Sequence, residues 1–415
     1  MKNTTYENLI MITLDCVRPD FLGCYGNPRV STPNIDRLAS RGMVFEQAIS
    51  QAPCTWVSHG GIFTGTYPPV HGLRAPFDSI SGEVQTLAEV LSGHGFNSAG
   101  FPANSLVGSS TGLHRGFDLY FEDFQGLGES GTTANRRNPW SRTMKEAGDW
   151  LEKQKGRFFL WLHYLDTHHL PELDLPEYYK KEFNRNWQFY EGKISYADHE
   201  CVGKILYMLE QLGFSGNTLV VIFSDHGEDL MDDGCPRHNG HLADSVLRVP
   251  LIFASPGGKE SPMRFSRQAR SADIMPSVLG LLGVPPSPSM EMDGKDLFEK
   301  TGNALPFHQD SNLAYAENMV HGLAALRSGE WKFVKGNSET ALYHLSADPR
   351  ETRNALAGNP LTGNFFEYEL ERISRGRPAA PLAYAAGRHW TMERDRTGHE
   401  EYAETLAALK SLGYM

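Results

Sequence analysis

The sequence has few cysteines, and their arrangement is not that of a disulfide-stabilised domain. The five are odd in number and scattered over 415 residues: Cys16, Cys24, Cys54, Cys201 and Cys235. Small secreted domains that depend on disulfides carry even numbers of cysteines at short, regular spacings. We therefore expect reduced thiols and a cytoplasmic protein.

Long hydrophobic runs are also absent. Near the start of the chain, the apolar run from Leu9 to Leu14 ends at Asp15, which makes it too short for the hydrophobic segment of a signal peptide. No other stretch approaches the roughly 20 apolar residues that a membrane-spanning helix needs. The pattern predicts neither a signal peptide nor a membrane partner.

The sequence has no excess of basic residues. It carries 39 Lys and Arg against 50 Asp and Glu, a formal net charge of −11. Nucleic acids and anionic membranes are bound through basic surfaces, so neither is an expected partner. If the substrate is itself an anion, the site needs local positive charge, which a bound cation would supply.

The segments that are present alternate between apolar runs and helical patterns, which is typical of a doubly wound α/β fold with a mostly parallel sheet flanked by helices. Four runs are typical of buried parallel strands, namely residues 8–14, 158–163, 218–224 and 249–255. Helical patterns cover residues 32–42, 84–95 and 190–213. No internal repeat or low-complexity tract interrupts them.

The pattern changes after the proline cluster at 285–288, where shorter segments with turn signals replace the long apolar runs. We predict a catalytic α/β domain over residues 1–305. A C-terminal subdomain over 306–415 would contain a small antiparallel sheet, a loop-rich tail and a closing helix. We expect long loops over 105–145 and 365–400 to form the wall of the substrate pocket.

Polar side chains follow several of the predicted strands. Asp15 follows the first strand, Asp225 and His226 follow the run 218–224, and Asp166 and His168 follow the run 158–163. Functional residues of such folds cluster past the carboxyl ends of strands, where these groups would form an Asp/Asp/His metal site. Taken singly, each residue is equally typical of a helix cap or a buried hydrogen-bonding group.

The segment 51–72 carries hydroxyl groups beside two glycines. Thr55 and Ser58 precede Gly60 and Gly61, and hydroxyls at a glycine-rich helix start suit anion binding because free backbone N–H groups point at the anion. A hydroxyl bound to a divalent cation becomes acidic and can act as a nucleophile. The alternative is an ordinary capped helix in a turn-rich stretch.

The segment 226–250 places further polar groups soon after Asp225. Arg237 offers a positive charge for the substrate oxyanion, and His238 and His241 offer general acids for the leaving group. With 16 histidines in the chain, spacing alone distinguishes these residues only weakly from solvated loop histidines.

These segments, in this order, resemble the sulfatase family of the alkaline-phosphatase superfamily, and the resemblance covers nearly the whole chain. Its opening strand and metal Asp lie in NLIMITLDCVRPDFLGCYGN, and the nucleophile segment ends at Thr64-Gly65. Further resemblance lies in FLWLHYLDTHH, in TLVVIFSDHGE, in HNGHLADSVLRVPLI and, in the C-terminal part, in ALRSGEWKFV, LYHLSADPRETRN and LKSLGY.

The nucleophile segment departs from the family pattern. Sulfatases carry Cys-x-Pro-Ser-Arg ahead of Thr-Gly, and that Cys is oxidised to formylglycine. Counting back from Thr64-Gly65 places Thr55 at the nucleophile position and Cys54 one residue before it, with Val57 and His59 in place of the proline and arginine. Threonine cannot become formylglycine, and it resembles the phosphodiesterase, phosphonate-hydrolase and phosphoglycerol-transferase branches.

The resemblance also implies a set of site residues. The metal ligands are Asp15, Asp225, His226 and the Thr55 hydroxyl, although the second Asp that usually follows Asp15 is replaced by Cys16. The resemblance adds catalytic His168 and His241 beside Thr55 as nucleophile, and substrate-binding Asn104, Arg74, Arg237 and His238. It implies one divalent ion (Mn, Ca, Mg or Zn) and no organic cofactor.

We therefore predict a metal-dependent ester hydrolase that acts on a small anionic ester. The first hypothesis is a phosphate-type ester (a phosphodiester, phosphomonoester or phosphonate) cleaved by Thr55. One alternative is a sulfate-ester hydrolase that uses a formylglycine derived from Cys54. Another is a non-catalytic member of the family that only binds an anion. The pattern indicates no particular oligomeric state.

Overall fold

The structure is a computed structural model. It describes residues 6–103, 105–122, 139–168, 186–230, 238, 240–258, 262–299, 313–337 and 339–374. The predicted closing helix at the C-terminus, the loop-rich tail before it and the predicted domain boundary at 305 and 306 lie outside the described residues, so all three stay predictions.

An eight-stranded sheet forms the centre of the larger unit. Its strands are β1 (Asn8–Leu14), β2 (Met43–Ile49), β3 (Asn97–Phe101), β4 (Leu119–Tyr120), β5 (Phe158–Tyr164), β6 (Thr218–Phe223), β7 (Arg248–Ala254) and β8 (Met263–Arg270). They lie in the order β4–β3–β5–β1–β6–β7–β2–β8. The predicted α/β class is confirmed, since β4, β3, β5, β1 and β6 form a parallel block.

The direction of β7 differs from the prediction. This strand covers most of the run 249–255 and pairs antiparallel with both β6 and β2. A strand that is buried on both faces reads as a continuous apolar run in either direction, so its composition does not encode its orientation. The sheet is therefore mixed at this edge.

Helices cover both faces of the large sheet. They are α1 (Pro33–Ala39), α2 (Thr55–Thr64), α3 (Pro68–His71), α4 (Leu87–Ser92), α5 (Pro139–Leu151), α6 (Asn186–Ala197), α7 (Lys204–Gln211), α8 (Asp244–Leu247) and α9 (Ile274–Leu282). Along β1, Leu9 and Met11 enter one apolar cluster while Ile10, Ile12 and Leu14 enter the other. This period-two alternation within an entirely apolar strand is expected of a sheet that is buried on both faces.

The helical pattern over 190–213 is interrupted. A π-helical segment over Asp198–Gly203 joins α6 to α7. It places the buried Asp198 carboxylate against the start of α1, where it accepts hydrogen bonds from the backbone N–H groups of Asn34 (3.1 Å) and Ile35 (2.8 Å). These N–H groups have no partner inside their own helix, so the carboxylate stabilises the helix end.

A second, smaller sheet follows in the chain. Its antiparallel strands are β9 (Ala314–Asn318), β10 (Leu323–Ser328), β11 (Trp331–Lys335) and β12 (Thr340–His344), followed by α10 (Pro360–Ser374). One face packs on α10, where Phe366 stacks on Phe333 at 6.2 Å. The other face packs Ala316 and Ala325 against Ile49 and Leu247 of the large unit.

The small antiparallel sheet was predicted, but the expected pocket loop over 365–400 begins as a helix. Residues 365–374 belong to α10, and Phe366 is buried in the core of the small sheet. Trp140 in the other expected loop is also buried, in α5 against Tyr164. In the described part of the chain, no helix combines the length and the apolar character that crossing a bilayer requires.

Candidate active site

The centre of the candidate site lies at the carboxyl ends of two adjacent parallel strands. Asp15 directly follows β1, and Asp225 and His226 come just after β6. The Thr55 side chain reaches the same place from the first residue of α2. All four side chains are fully buried.

Asp15, Asp225 and His226 form a compact group. Their ligand atoms all lie within 4.8 Å of one another. The Oδ2 atom of Asp225 is buried and has no hydrogen-bond partner among the described residues. An unpaired buried carboxylate oxygen costs free energy unless a cation or another partner offsets it. Two carboxylates and an imidazole are a donor set that suits a divalent cation, so these residues fit the predicted metal.

Thr55 lies beside this group and Cys54 does not join it. The Thr55 Oγ1 atom is 3.4 Å from Nε2 of His226. The Nδ1 atom of His226 donates a hydrogen bond to the Gly227 carbonyl oxygen at 2.9 Å, and the other ring nitrogen, Nε2, faces Thr55. Cys54 precedes α2 in an extended conformation and belongs to none of the four ligand groups found among the described residues. Burial raises the pKa of its thiol.

The two glycines of this segment do not form the helix start that was predicted. Gly60 and Gly61 lie inside α2, after its first turn. A Cβ atom on Gly60 would lie 2.5 Å from the His71 ring, and one on Gly61 would lie 2.5 Å from the Gln51 side chain. The glycines therefore allow close packing behind the site, and the backbone N–H groups at the start of α2 belong to other residues.

Two histidines that were not predicted as site residues surround the carboxylates. His163 Nε2 lies 3.0 Å from Asp15 Oδ2, and His59 Nδ1 lies 3.9 Å from Asp225 Oδ2. His59 also contacts the Thr55 carbonyl oxygen at 2.7 Å. Together His59, His163 and Asp225 form another group with ligand atoms within 4.8 Å.

Cys16, His168 and His238 occupy the other side of the first group. Cys16 Sγ lies 2.9 Å from Asp15 Oδ1 and 3.7 Å from Nδ1 of the His226 ring. The His238 ring lies 4.5 Å from the His226 ring and 5.1 Å from the His168 ring, centroid to centroid. His238 Nδ1 contacts Glu228 Oε1 at 3.1 Å. These residues are all buried.

Burial and neighbouring charges shift the titration of these groups. Burial would raise the pKa of Asp15, but the hydrogen bond from His163 and the nearby imidazoles hold it well below its usual range. Burial lowers the pKa of His168 to about 3 and that of His59 to about 4. Burial would also lower the pKa of His238, but the Glu228 carboxylate outweighs it and the net shift is upward. The site thus holds an ionised Asp15 beside neutral His59 and His168.

The remaining predicted residues either have other partners or lie outside the described residues. His241 is partly exposed, and its Nε2 atom lies 3.0 Å from Asp229 Oδ2. Arg74 forms a two-bond ion pair with Glu317 of β9, at 2.6 and 2.8 Å. Asn104 and Arg237 lie outside the described residues. Their predicted roles toward the substrate stay predictions.

Comparison with known proteins shows the family of the chain. The sequence model of the Sulfatase family matches residues 7–284, about two thirds of the chain. The chain belongs to the sulfatase family. The predicted family and the predicted class of ester hydrolase are confirmed.

Among the relatives of this sulfatase-family chain is an ulvan-active sulfatase of Formosa agariphila, 26% identical over 401 residues that cover 86% of this chain and 78% of the relative. An arylsulfatase of Clostridium perfringens is 24% identical over 84% of this chain and 90% of its own length. The solved phosphonate monoester hydrolase of Agrobacterium radiobacter shares the fold, with a TM-score of 0.74, 19% identity and coverage of 89% of this chain and 95% of that one.

Sulfatase-family enzymes are generally metal-dependent, and this chain contains groups able to hold a metal ion. Of the site residues absent from the prediction, Glu228 had a signal in the sequence and His163 is identified only by the strand register. His163 lies next to last in β5 and pairs in register with Thr13, two residues before Asp15. Glu228 closes the run Asp225-His226-Gly227-Glu228.

Proposed function

We propose that this sulfatase-family enzyme hydrolyses a phosphate-type ester and that Thr55 is its nucleophile. The observation that carries the proposal is the position of the Thr55 hydroxyl, 3.4 Å from His226 Nε2 and beside the Asp15, Asp225 and His226 group. The neighbouring Cys54 joins no ligand group in the described part of the chain.

Each proposed catalytic residue has its own role in the reaction. Thr55 Oγ1 attacks phosphorus opposite the ester oxygen, and its bond to phosphorus forms as the bond to the leaving oxygen breaks. The O–H bond of Thr55 breaks and its proton passes to solvent, while the leaving oxygen takes up a proton from solvent. Water then attacks the phosphothreonine, which releases phosphate and returns the hydroxyl of Thr55. A bound divalent cation would acidify the hydroxyl and offset the charge on the phosphate oxygens. His168 and His241 are the proposed contacts to the transferred group and the leaving oxygen.

The chemistry of the nucleophile favours phosphate over sulfate. A formylglycine hydrate releases sulfate by collapsing to the aldehyde, which requires a second hydroxyl on the same carbon. Threonine has only one, whereas a phosphothreonine can be hydrolysed by attack of water on phosphorus. The structural likeness to a phosphonate monoester hydrolase is compatible with this reading but, at 19% identity, concerns the fold alone.

Sulfate-ester hydrolysis is the second candidate, because the curated relatives include an ulvan-active sulfatase and an arylsulfatase. In this chain it would require oxidation of Cys54 to formylglycine and a slip of one residue at the start of α2. The intact mass of the protein distinguishes the two candidates, because oxidation of Cys54 to formylglycine would change that mass.

The decisive experiment compares Thr55→Ala with Cys54→Ala over aryl phosphate mono- and diesters, phosphonates and aryl sulfates. We expect Thr55→Ala to lose at least about a thousand-fold in turnover of the best phosphate-type substrate, as nucleophile deletions do. Cys54→Ala should keep most of the activity, and Thr55→Ser should restore part of it. If Cys54→Ala is inactive while Thr55→Ala still cleaves a sulfate ester, the phosphoesterase assignment is wrong.

A further inference from the structure

Lys193 of α6 is a buried lysine whose side chain contacts the backbone of His168. We propose that Lys193 is a positioning residue for His168. Its ammonium group holds the main chain of His168 and so fixes the place and the direction of the imidazole. The inference rests on the proposed function, in which His168 contacts the transferred group, and it applies equally to a phosphate and to a sulfate ester.

The contact between the two residues is short and direct. Lys193 Nζ donates a hydrogen bond to the His168 carbonyl oxygen at 2.6 Å. The His168 N–H donates to the Leu165 carbonyl oxygen at 2.8 Å, so both backbone polar groups of His168 are bonded. Hydrogen bonds from a charged donor are roughly twice as strong as those between neutral groups. Lys193 therefore fixes the backbone from which the His168 side chain projects.

The same side of α6 also holds the loop that follows β1. Tyr190 lies three residues before Lys193, and residues at this spacing are neighbours on a helix surface. The Tyr190 hydroxyl donates to the Cys16 carbonyl oxygen at 2.5 Å and accepts a hydrogen bond from the Arg18 N–H at 2.9 Å. One turn of α6 thus contacts two loops that carry candidate site residues, and Lys193 provides the contact to the loop after β5.

The burial of Lys193 costs free energy that its surroundings offset only in part. The residue is 1% exposed, and burial lowers its pKa to about 8 against the opposing effect of the Asp166 and Glu228 charges. The ammonium group also lies 4.6 Å from the centroid of the Phe189 ring, which attracts a cation. A charged group that is buried at such a cost in contact with a site residue is a candidate for a functional role.

The orientation of His168 matters because its imidazole is neutral. Burial lowers the pKa of His168 to about 3, so at neutral pH the ring acts through a directed N–H or lone pair and not through charge. Hydrogen bonds weaken steeply as their angle departs from linearity. A displacement of about 1 Å in an active site can cost about a hundred-fold in rate. A fixed backbone at His168 therefore bears directly on turnover.

A double-mutant cycle separates positioning from a purely structural role. Lys193→Met nearly keeps the length of the side chain but removes its charge and its hydrogen-bond donors. We expect it to lower kcat about ten- to a hundred-fold on the best ester and to change KM by less than about threefold. In the His168→Ala background the same substitution should change kcat by less than about twofold, because the group that it positions is absent. The control is Lys204→Met on α7, an exposed lysine paired with Glu200, which should behave like the wild type.

Two results of the cycle would overturn the inference, namely an equal loss of kcat in both backgrounds and an unchanged kcat in folded Lys193→Met. Full activity of His168→Ala would also overturn it, while the nucleophile assignment would still be decided by Thr55→Ala alone. If Lys193→Met does not fold, as judged by circular dichroism, Lys193→Gln takes its place with the same expectations.

NMR of the histidine side chains examines the same contact without any substrate. In protein labelled with nitrogen-15 at its histidines, the His168 signal is the one that His168→Ala lacks. We expect this signal to shift in Lys193→Met and to keep its position in Lys204→Met. An unmoved His168 signal in folded Lys193→Met would contradict the inference. This readout decides the inference even if none of the tested esters is cleaved and the proposed function has failed.

Discussion

His71 is a fully buried imidazole whose titration should make folding sensitive to acid. Its Nδ1 atom accepts a hydrogen bond from the Leu73 N–H at 3.2 Å, and its Nε2 atom has no partner among the described residues. Burial, with a contribution from the charge of Arg74, lowers the pKa of His71 to about 3. Protonation is therefore unfavourable in the folded chain, although the unfolded chain binds the proton readily.

We predict that His71 makes the protein less stable as the pH falls below its ordinary pKa. The unfolded state takes up a proton near pH 6.5 and the folded state only near pH 3, so stability is lost progressively between these values. Between about pH 7 and about pH 5 the loss should be about 2 kcal/mol. Urea unfolding of the wild type and of His71→Gln at both pH values measures this loss in the free energy of unfolding. An equal pH dependence in the two proteins would show that another group is responsible.

At the scale of single residues, the candidate site could be predicted only in part from the sequence. Asp15 and Asp225 could be predicted because each closely follows a buried strand, and Thr55 because it lies a fixed distance before Thr64-Gly65. His163 could not, because its contact with Asp15 depends on the register between β1 and β5, which no local pattern in the sequence specifies.

At the scale of elements, α2 is packed so closely that its glycines are structural. A Cβ atom on Gly60 would meet the His71 ring at 2.5 Å, and this ring is fully buried and cannot move aside without disturbing the core. We predict that Gly60→Ala destabilises the protein by about 1–3 kcal/mol, the usual cost of overpacking. Thermal unfolding would measure the change.

Gly93, at the end of α4, is the matched control. It has right-handed helical angles, and the nearest atom to an added Cβ is a carbonyl oxygen at 3.5 Å. Gly93→Ala should therefore leave stability unchanged or raise it by up to about 1 kcal/mol, because alanine restricts the unfolded chain. Equal effects of the two substitutions would mean that the contact between Gly60 and His71 is not tight in solution.

The elements themselves were predicted well where the local pattern is strong. β1, β5 and β6 match their predicted runs to within a residue at each end, because a continuous apolar run with turn residues on both sides has few alternatives. The orientation of β7 and the π-helical segment after α6 were not predicted. The first depends on strand pairing, and the second on the contact of Asp198 with α1, and both are tertiary effects.

At the scale of the whole molecule, the small sheet is attached to the large unit through both apolar and charged contacts. Lys332 of β11 is fully buried and contacts Asp244 at 3.0 Å and Glu351 at 2.5 Å. Arg327 of β10 contacts Asp244 at 3.1 Å. Because Asp244 follows His241 by three residues, this network also holds the segment that leads away from the site. The antiparallel sheet could be predicted from its turns, but this docking could not, since it joins residues far apart in the chain.

We predict that Lys332→Met destabilises the protein by about 3–5 kcal/mol, because it leaves the buried Glu351 side chain without its cation and leaves Asp244 with Arg327 alone. Methionine nearly keeps the length of the side chain, so lost packing contributes little.

The control is Lys335→Met on the same strand, where the lysine is 39% exposed and pairs with Glu367 at 2.6 Å. An exposed pair is worth at most about 1 kcal/mol, so this variant should unfold close to the wild type. Denaturant unfolding of the three proteins measures both effects. If Lys332→Met is as stable as Lys335→Met, the apolar face of the sheet alone holds the two units together, and the charged network only sets the position of the segment after His241.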